Sequence, residues 1–446
     1  MIEKERMIVE CLDLNHQGQG VCKPNAFPIF IDFLLIGEKA EIEITKLYKN
    51  YGFGKIIKLI EPSKARVTPL CHAFGKCGGC EIMHMDYAAQ LEFKKQMGIN
   101  TLKKIGHLTN LSISGIIGMD QPYFYRNKVQ IPFQMANNQV ICGFYKKSSH
   151  DIYPMNECFI QPKEATQIAL FVRDFANEHR IFAYNETNHS GCLRHLLIRK
   201  NIQNDYMVVI ITYTKDLPFN SLLVKAIINQ FPQVKTIVQN INQAETNVVL
   251  GSKNIVLYGS GLLEEQLLGL TFTISPHSFF QTNHEQTTKL YQQVLKYANP
   301  KKTDIIIDGY CGVGTIACFL ADHCKKVIGI EVVKEAIQDA KANALINQID
   351  NTEFIIGTTE ETIKQFHKGE INILIVDPPR KGCDAQLLAT IKLLNIPKIV
   401  YVSCDVATLA RDLEILVSNY VIKDITFFDM FPQISDVETC VLLELK

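Results

Sequence analysis

One stretch constrains this chain more than any other. Residues 304–321 read DIIIDGYCGVGTIACFLA. A run of β-branched residues too apolar to leave one face in water meets a glycine-rich turn. A helix-like run follows at once. Continuous apolar strands of this kind are buried on both faces, which places them in a parallel sheet covered by helices. The rhythm then repeats through KVIGIEVV, EFIIGTT, INILIVDPP and KIVYVSC, with helical segments between them. A final pair of strands is expected around KDITFFDMFP and TCVLLELK. The fold expected for the C-terminal part is therefore α/β, a doubly wound and mostly parallel Rossmann-like sheet.

Ligands of such sheets bind outside the carboxyl ends of the strands. The residues found at those ends are therefore informative. Gly309, Gly312 and Gly314 let the backbone turn tightly and come close to a ligand. Glu331 ends the next strand, twenty residues after Cys311, where an acid suits ribose hydroxyls. The spacing is not that of a dinucleotide fingerprint, so a nucleoside-type cofactor is expected. A late domain with D-x-x-x-G-x-G, here starting at Asp308, resembles S-adenosylmethionine-dependent methyltransferases. Asp377 ends another strand in IVDPPRKG, where it could accept a hydrogen bond from a planar base. Cys404 ends the next in YVSCDVATLARD. A thiol at the mouth of a helix is expected to have its thiolate favoured by the helix dipole.

Two carboxylates and a thiol suit one reaction in particular. Carbon 5 of a pyrimidine is a poor nucleophile until a thiolate adds at carbon 6. It can then take a methyl group, after which a base must remove the C5 proton. Glu438, in FPQISDVETC, is the candidate base.

The rest of the chain adds partners. Residues 1–61 read as short strands rich in β-branched and aromatic residues, which fits an OB-like β-barrel. Its KLYKNYGFGKIIK segment interleaves Lys46, Lys49 and Lys55 with Tyr48, Tyr51 and Phe53, a mixture suited to single-stranded nucleic acid or to a solvated hairpin. A proline-containing linker leads to Cys71, Cys77 and Cys80, a three-ligand run whose fourth ligand must come from farther along. By composition the site suits zinc or an iron–sulfur cluster equally, and His72 or His84 could complete a zinc site. Residues 62–270 are expected to form a central mixed α/β domain, and 271–446 the methyltransferase domain. In the central part, Arg126 and Lys128 lie among aromatic residues. CLRHLLIRKN carries Arg194, His195, Arg199 and Lys200, with some of its cations expected on an exposed strand face. Lys plus Arg equals Asp plus Glu, 46 each, so any RNA-binding surface must be local. A charged N-terminus and the lack of a long apolar run lead to the expectation of a cytoplasmic, non-membrane protein. A monomer is expected.

The motifs DGYCGVGTIA, IVDPPRKG, YVSCDVATLARD, FPQISDVET and SPHSFFQTNHEQTTKLY together resemble those of the RNA uracil-5-methyltransferase family. The first 60 residues resemble the TRAM domain that members often carry. The resemblance implies Cys404 as nucleophile and Glu438 as proton-abstracting base. It places Gln281, Tyr310, Gly312, Glu331 and Asp377 around the methyl donor, with Asp377 also near the uracil and Phe279 stacked on a flipped base. It implies a [4Fe–4S] cluster, rather than zinc, on Cys71, Cys77, Cys80 and Cys158. Arg126 and Lys128 resemble RNA-facing positions. A TRAM-like domain with a cysteine cluster resembles the members acting on 23S ribosomal RNA more than those acting on transfer RNA. The chain departs from the family at Asp405-Val406, usually Asn-Pro, and at Ile434 and Asp436, usually Thr and His. The competing expectations are cytosine-5 methylation of RNA and a non-catalytic RNA-binding or ribosome-assembly factor.

Overall fold

The structure is a computed structural model and describes residues 1–446. Residues 6–61 form a six-stranded, mostly antiparallel sheet. Its two edge strands, Arg6–Glu10 and Asp13–Leu14, are consecutive in the chain, so the sheet must curl round its core. Alternation along Lys39–Leu47 buries Ala40, Ile42 and Ile44 and leaves the charged residues between them outside.

The middle region contains a seven-stranded sheet. Its only parallel pair, Tyr206–Thr212 with Val234–Ile241, is joined through the helix Asn220–Gln230, as a parallel pair requires. That helix and Lys163–Glu178 cover one face.

The third layer holds the glycine-rich turn. It contains the helix α1 (Tyr87–Ile105) and strand β1 (Ile113–Ile117), then α2 (His284–Ala298), β2 (Ile305–Gly309), α3 (Thr315–Ala321), β3 (Lys326–Glu331), α4 (Lys334–Ile346) and β4 (Thr352–Ile356). These are followed by β5 (Ile373–Val376), α5 (Ala385–Leu394), β6 (Lys398–Ser403), α6 (Val406–Leu416), β7 (Tyr420–Phe428) and β8 (Glu438–Leu445). The sheet order is β4-β3-β2-β5-β6-β8-β7-β1. Strands β2 to β6 are parallel, and β8 runs antiparallel between β6 and β7. This is the α/β doubly wound fold expected from the alternation. Strand order reverses between β2 and β5, which opens a crevice at their carboxyl ends.

The segment containing α1 and β1 fell within the central domain in the sequence reading. It lies instead on the C-terminal sheet: β1 pairs in parallel with β7, and α1 packs on α6. Gly98 of α1 sits so close to the ring of Phe427 that a Cβ there would reach 2.5 Å from it. A lone strand in an otherwise polar stretch gives no local sign of a partner more than 300 residues away. No helix is long and apolar enough to cross a membrane.

Candidate active site

The antiparallel register of β6 and β8 builds the centre of the site. Ser403 pairs with Thr439, and the residues just beyond that pair are Cys404, one past the end of β6, and Glu438, the first of β8, whose charge acts on the thiol. Asp377 follows β5, the neighbour of β6, and Asp308 lies in β2. Cys404 is half-buried and makes no disulfide. Glu438 is buried, and its Oε1 has no hydrogen-bond partner. Asp308 is buried with neither carboxylate oxygen partnered. Buried polar atoms without partners mark a place completed by something else.

The electrostatics differ from the sequence expectation at Cys404. Burial pushes its thiol up to about 12, helped by the charges of Glu438 and Asp377 and opposed by Arg380. Burial outweighs the helix dipole, and the mouth of α6 is capped by Asp405, whose charge adds to the rise. Its Oδ1 accepts 2.9 Å bonds from the amides of Ala407 and Thr408. Asp405 is thus a helix cap, which explains why a carboxylate is tolerated beside the thiol. The second departure also has a partner. Asp436 accepts a 2.8 Å bond from Arg380, whose raised pKa also reflects Cys404 and Asp405. Sequence reading did not single out Arg380, although it lies in the quoted IVDPPRKG.

Among the carboxyls, burial pushes Glu438 well up, with Asp377 and Asp436 adding to it. Burial pushes Asp377 up to about 6, and burial plus Asp377 push Asp308 up to about 8.

The methyl-donor crevice is tested by its own backbone. Gly312 has φ +54°, and a Cβ placed there would meet nothing within 4 Å. Its amide donates to Glu331 Oε2 at 3.2 Å, and Val333 N donates to Glu331 Oε1 at 2.9 Å. Glu331 is therefore held at the strand end with room above the glycine turn. Tyr310, at φ +65°, donates its hydroxyl to Glu360 at 2.7 Å. An open cradle, a fixed acid and an orphaned carboxylate fit a nucleoside-type, cationic cofactor.

That fit predicts a pH dependence. Asp308 and Asp377 bind protons more tightly folded than unfolded. Their contribution to folding is therefore complete below their ordinary range and is lost as pH rises through about 6 and about 8. A cationic cofactor favours the ionised carboxylates. S-Adenosylmethionine is expected to bind roughly tenfold more tightly at pH 8 than at pH 6 and to release protons on binding. Titration calorimetry in two buffers of different ionisation enthalpy measures this, and D308N should flatten the dependence.

Phe279 is two-thirds exposed, and Gln281 is half-buried with its carbonyl bonded to Asn127 Nδ2 at 3.0 Å. Their loop is held from behind by Arg199, which donates to the carbonyls of Pro276 and Ser278. Arg199 and Arg194 were expected partly on an exposed strand face, but both are buried. Arg194 donates to the carbonyls of Asn242 and Ala244. Both faces of their strand are covered, which alternation alone could not reveal.

Cys71, Cys77, Cys80 and Cys158 line one cavity of about 570 Å3. Arg126 and Lys128, read from the sequence as RNA-facing, stand on the wall of this cavity. Burial and Arg199 pull Lys128 down to about 8. His72 lines the cavity as well, whereas His84 is buried between the rings of Phe33 and Phe74, and burial pulls it down to about 4. The amide of Gly79 points at Cys77 Sγ at 3.4 Å, and the amides of Ile160 and Gln161 favour the Cys158 thiolate. No three Cys, His, Asp or Glu side chains close round a single metal ion. Four thiols on the wall of one cavity, with backbone amides and two cations nearby, have the donor chemistry of a thiolate-held metal group.

On the barrel, Tyr48 and Tyr51 are exposed and stacked at 4.8 Å, with Lys46 over Tyr48 at 5.0 Å.

Known proteins resemble this architecture. The family model described as tRNA (Uracil-5-)-methyltransferase matches residues 202–446, and that of the TRAM domain matches residues 3–57. An uncharacterized RNA methyltransferase of Oceanobacillus iheyensis is 44% identical over 97% of this chain and 95% of its own. One from Staphylococcus aureus is 42% identical over 98% of this chain and 97% of its own. Among solved structures, the Pyrococcus abyssi tRNA (uracil-54, C5)-methyltransferase in complex with S-adenosyl-L-homocysteine superposes with a TM-score of 0.78 at 27% identity. It covers 98% of this chain and 99% of that one.

Proposed function

Because the chain belongs to the tRNA (uracil-5-)-methyltransferase family, we propose that it methylates carbon 5 of uridine in RNA, with Cys404 as nucleophile and Glu438 as base. The observation that carries this is the register that places Cys404 and Glu438 just beyond one strand pair, at the rim shared with Asp377. A half-buried thiol facing carboxyls is poorly suited to free-thiol redox chemistry, but it can be reached by an extruded base.

S-Adenosylmethionine supplies, when bound, a methyl group on a sulfonium, open to attack by a nucleophilic carbon. Gly312, Glu331, Tyr310 and Gln281 are the residues that would hold the cofactor. Phe279 stacks on the extruded uracil, and Asp377 accepts a hydrogen bond from its ring N–H. The Cys404 thiol is protonated at neutral pH, so it gives its proton to solvent as Sγ bonds to C6, which leaves the Glu438 carboxylate free for the last step. The electron pair of the C5–C6 double bond then makes C5 the nucleophile. Once C5 carries the methyl group, the Glu438 carboxylate removes the C5 proton, the double bond re-forms and the Sγ–C6 bond breaks. Burial favours the protonated form of Glu438, so the group acts once ionised, and its ionised form is then a stronger base toward a carbon-bound proton.

RNA with 5-fluorouridine tests the proposal. Fluorine replaces the proton that Glu438 must remove, so the adduct through Cys404 is expected to survive denaturing electrophoresis. No adduct, or tritium release from labelled cytidine rather than uridine, would replace this reading by a binding factor or a cytosine enzyme.

The substrate is proposed as 23S ribosomal RNA, on the TRAM-like barrel and the four-cysteine cavity. Transfer RNA is the second reading, because the Pyrococcus abyssi protein, named for tRNA, aligns along both whole chains. Full-length likeness therefore does not separate the two, and trapping with rRNA fragments against tRNA does. Cys71, Cys77, Cys80 and Cys158 would hold a [4Fe–4S] cluster that shapes the segment rather than transferring electrons, since methyl transfer needs none. A monomer in the cytoplasm completes the proposal.

A further inference from the structure

Residues 429–437, immediately before Glu438, form no helix or strand. Such a segment would ordinarily leave its base loosely placed. Here Asp429, Phe431, Pro432, Gln433 and Ser435 are all tied to the chain between residues 81 and 126. Asp429 accepts from Lys94, in an ion pair with both side chains fully buried, and from the Tyr87 hydroxyl at 2.8 Å. The carbonyl of Phe431 accepts from Lys94 at 2.9 Å, and that of Pro432 from the Tyr125 hydroxyl at 3.0 Å. Gln433 exchanges bonds with Gln90, donating its amide to Oε1 at 3.1 Å and accepting from Nε2 at 3.0 Å.

The last tie comes from the cysteine segment. Glu81 directly follows Cys80. The amides of Glu81 and Ile82 both donate to the Gln433 carbonyl, at 3.1 and 3.2 Å. In return, Glu81 Oε2 accepts from the Ser435 amide at 2.8 Å and from its hydroxyl at 3.1 Å. Gln433 is held at φ +72°, a left-handed conformation costly for a residue with a side chain. Such strain persists only where surrounding bonds over-determine it.

We propose that Glu81 is a positioning residue for proton abstraction: its clasp on Gln433 and Ser435 holds the strap before β8 so that Glu438 faces the C5 proton. This rests on the reading of Glu438 as the base. Glu81 does not touch the substrate cleft, so it acts on the last chemical step and not on addition of the thiol. The clasp also explains a layout the reaction itself does not need. A cysteine segment distant in sequence from the methyltransferase layer ends on the strap that carries its base.

The test separates addition from elimination. Parent, E81A and E81Q are each given uridine RNA labelled with tritium at C5, with S-adenosylmethionine, in single-turnover reactions. Tritium release is followed, and denaturation-resistant protein–RNA adduct is measured in parallel. A second series uses 5-fluorouridine RNA. E81A is expected to trap 5-fluorouridine RNA at the parental rate while releasing tritium roughly tenfold more slowly or worse, with methylated adduct accumulating on ordinary RNA. E81Q keeps an oxygen acceptor for Ser435 and is expected to restore release to within about twofold. Parental release by E81A, or a matched fall in trapping and release without adduct build-up, overturns the clasp and leaves the active-site reading intact. A parent that fails to trap 5-fluorouridine RNA overturns both.

Discussion

Replacing Cys404 with alanine is expected to lower tritium release from C5-labelled uridine RNA by ~10⁴-fold or more, to the background of the assay. The size follows from the chemistry. Without a sulfur adding at C6, C5 never becomes nucleophilic, and nothing else on this rim can substitute. Asp377 and Glu438 offer only carboxylate oxygens, and the next cysteine of the sheet, Cys440, is fully buried. The folded state should tolerate the change. Cys404 is only half-buried and forms no disulfide, so stability is expected to move by no more than about 1 kcal/mol. RNA binding and cofactor binding are expected to persist, and adduct with 5-fluorouridine RNA to vanish. Release at the parental rate by C404A would remove the covalent mechanism altogether.

The second large effect concerns the cysteine cavity. Substituting Cys80 by serine is expected to bleach the visible absorbance of anaerobically purified protein and to lower its thermal midpoint by roughly 10 °C. That shift corresponds to the ~4 kcal/mol typical of losing a structural metal group in a domain of this size. Residues 71–80 contain no helix or strand and are held by turn bonds, by the Gly78 amide on the Tyr145 carbonyl and by Phe74 packed on Phe33, so a group bound by the cysteines would add much of their order. As free thiols, Cys77, Cys80 and Cys158 are all pushed up by burial, Cys158 to about 11. Protonated thiols in such a cavity would sacrifice the amide bonds aimed at sulfur, whereas thiolates bound to iron use them. Because Glu81 follows Cys80, the same variant is expected to slow proton abstraction as well. Colourless parent protein with stoichiometric zinc would overturn the iron assignment. Metal-free protein with an unchanged midpoint would overturn a structural role for any metal.

The catalytic layer was legible because its signals are local. A buried strand, a glycine turn and a helix lie within eighteen residues, and the acid, the Asp-Pro-Pro and the Ser-Cys each end a strand. Parallel strands then put those ends on one rim without further information. The cysteines were legible as a group because three lie within ten residues. Less legible was anything that depends on what covers a strand. Arg194 and Arg199 look like surface cations in an alternating pattern, yet both faces of their strand are packed. Arg126 and Lys128 read as RNA contacts because charge and aromatics alternate there, and they line the cysteine cavity. Asp405 and Asp436 read as departures from the family motifs. The first caps α6 through two amides and the second accepts from Arg380.

The sequence by itself determined the chemistry available: a nucleoside-type cradle, a thiol, its neighbouring acids and a group of clustered cysteines. It could do so because each belongs to a short segment whose conformation its own residues dictate. Only the tertiary structure decided the state and aim of these groups. Burial raised the Cys404 thiol where the helix dipole alone would have lowered it. Bonds from residues 81–126 fixed the strap before Glu438. Both effects come from desolvation and from contacts between residues hundreds of positions apart, which exist only once the layers have packed.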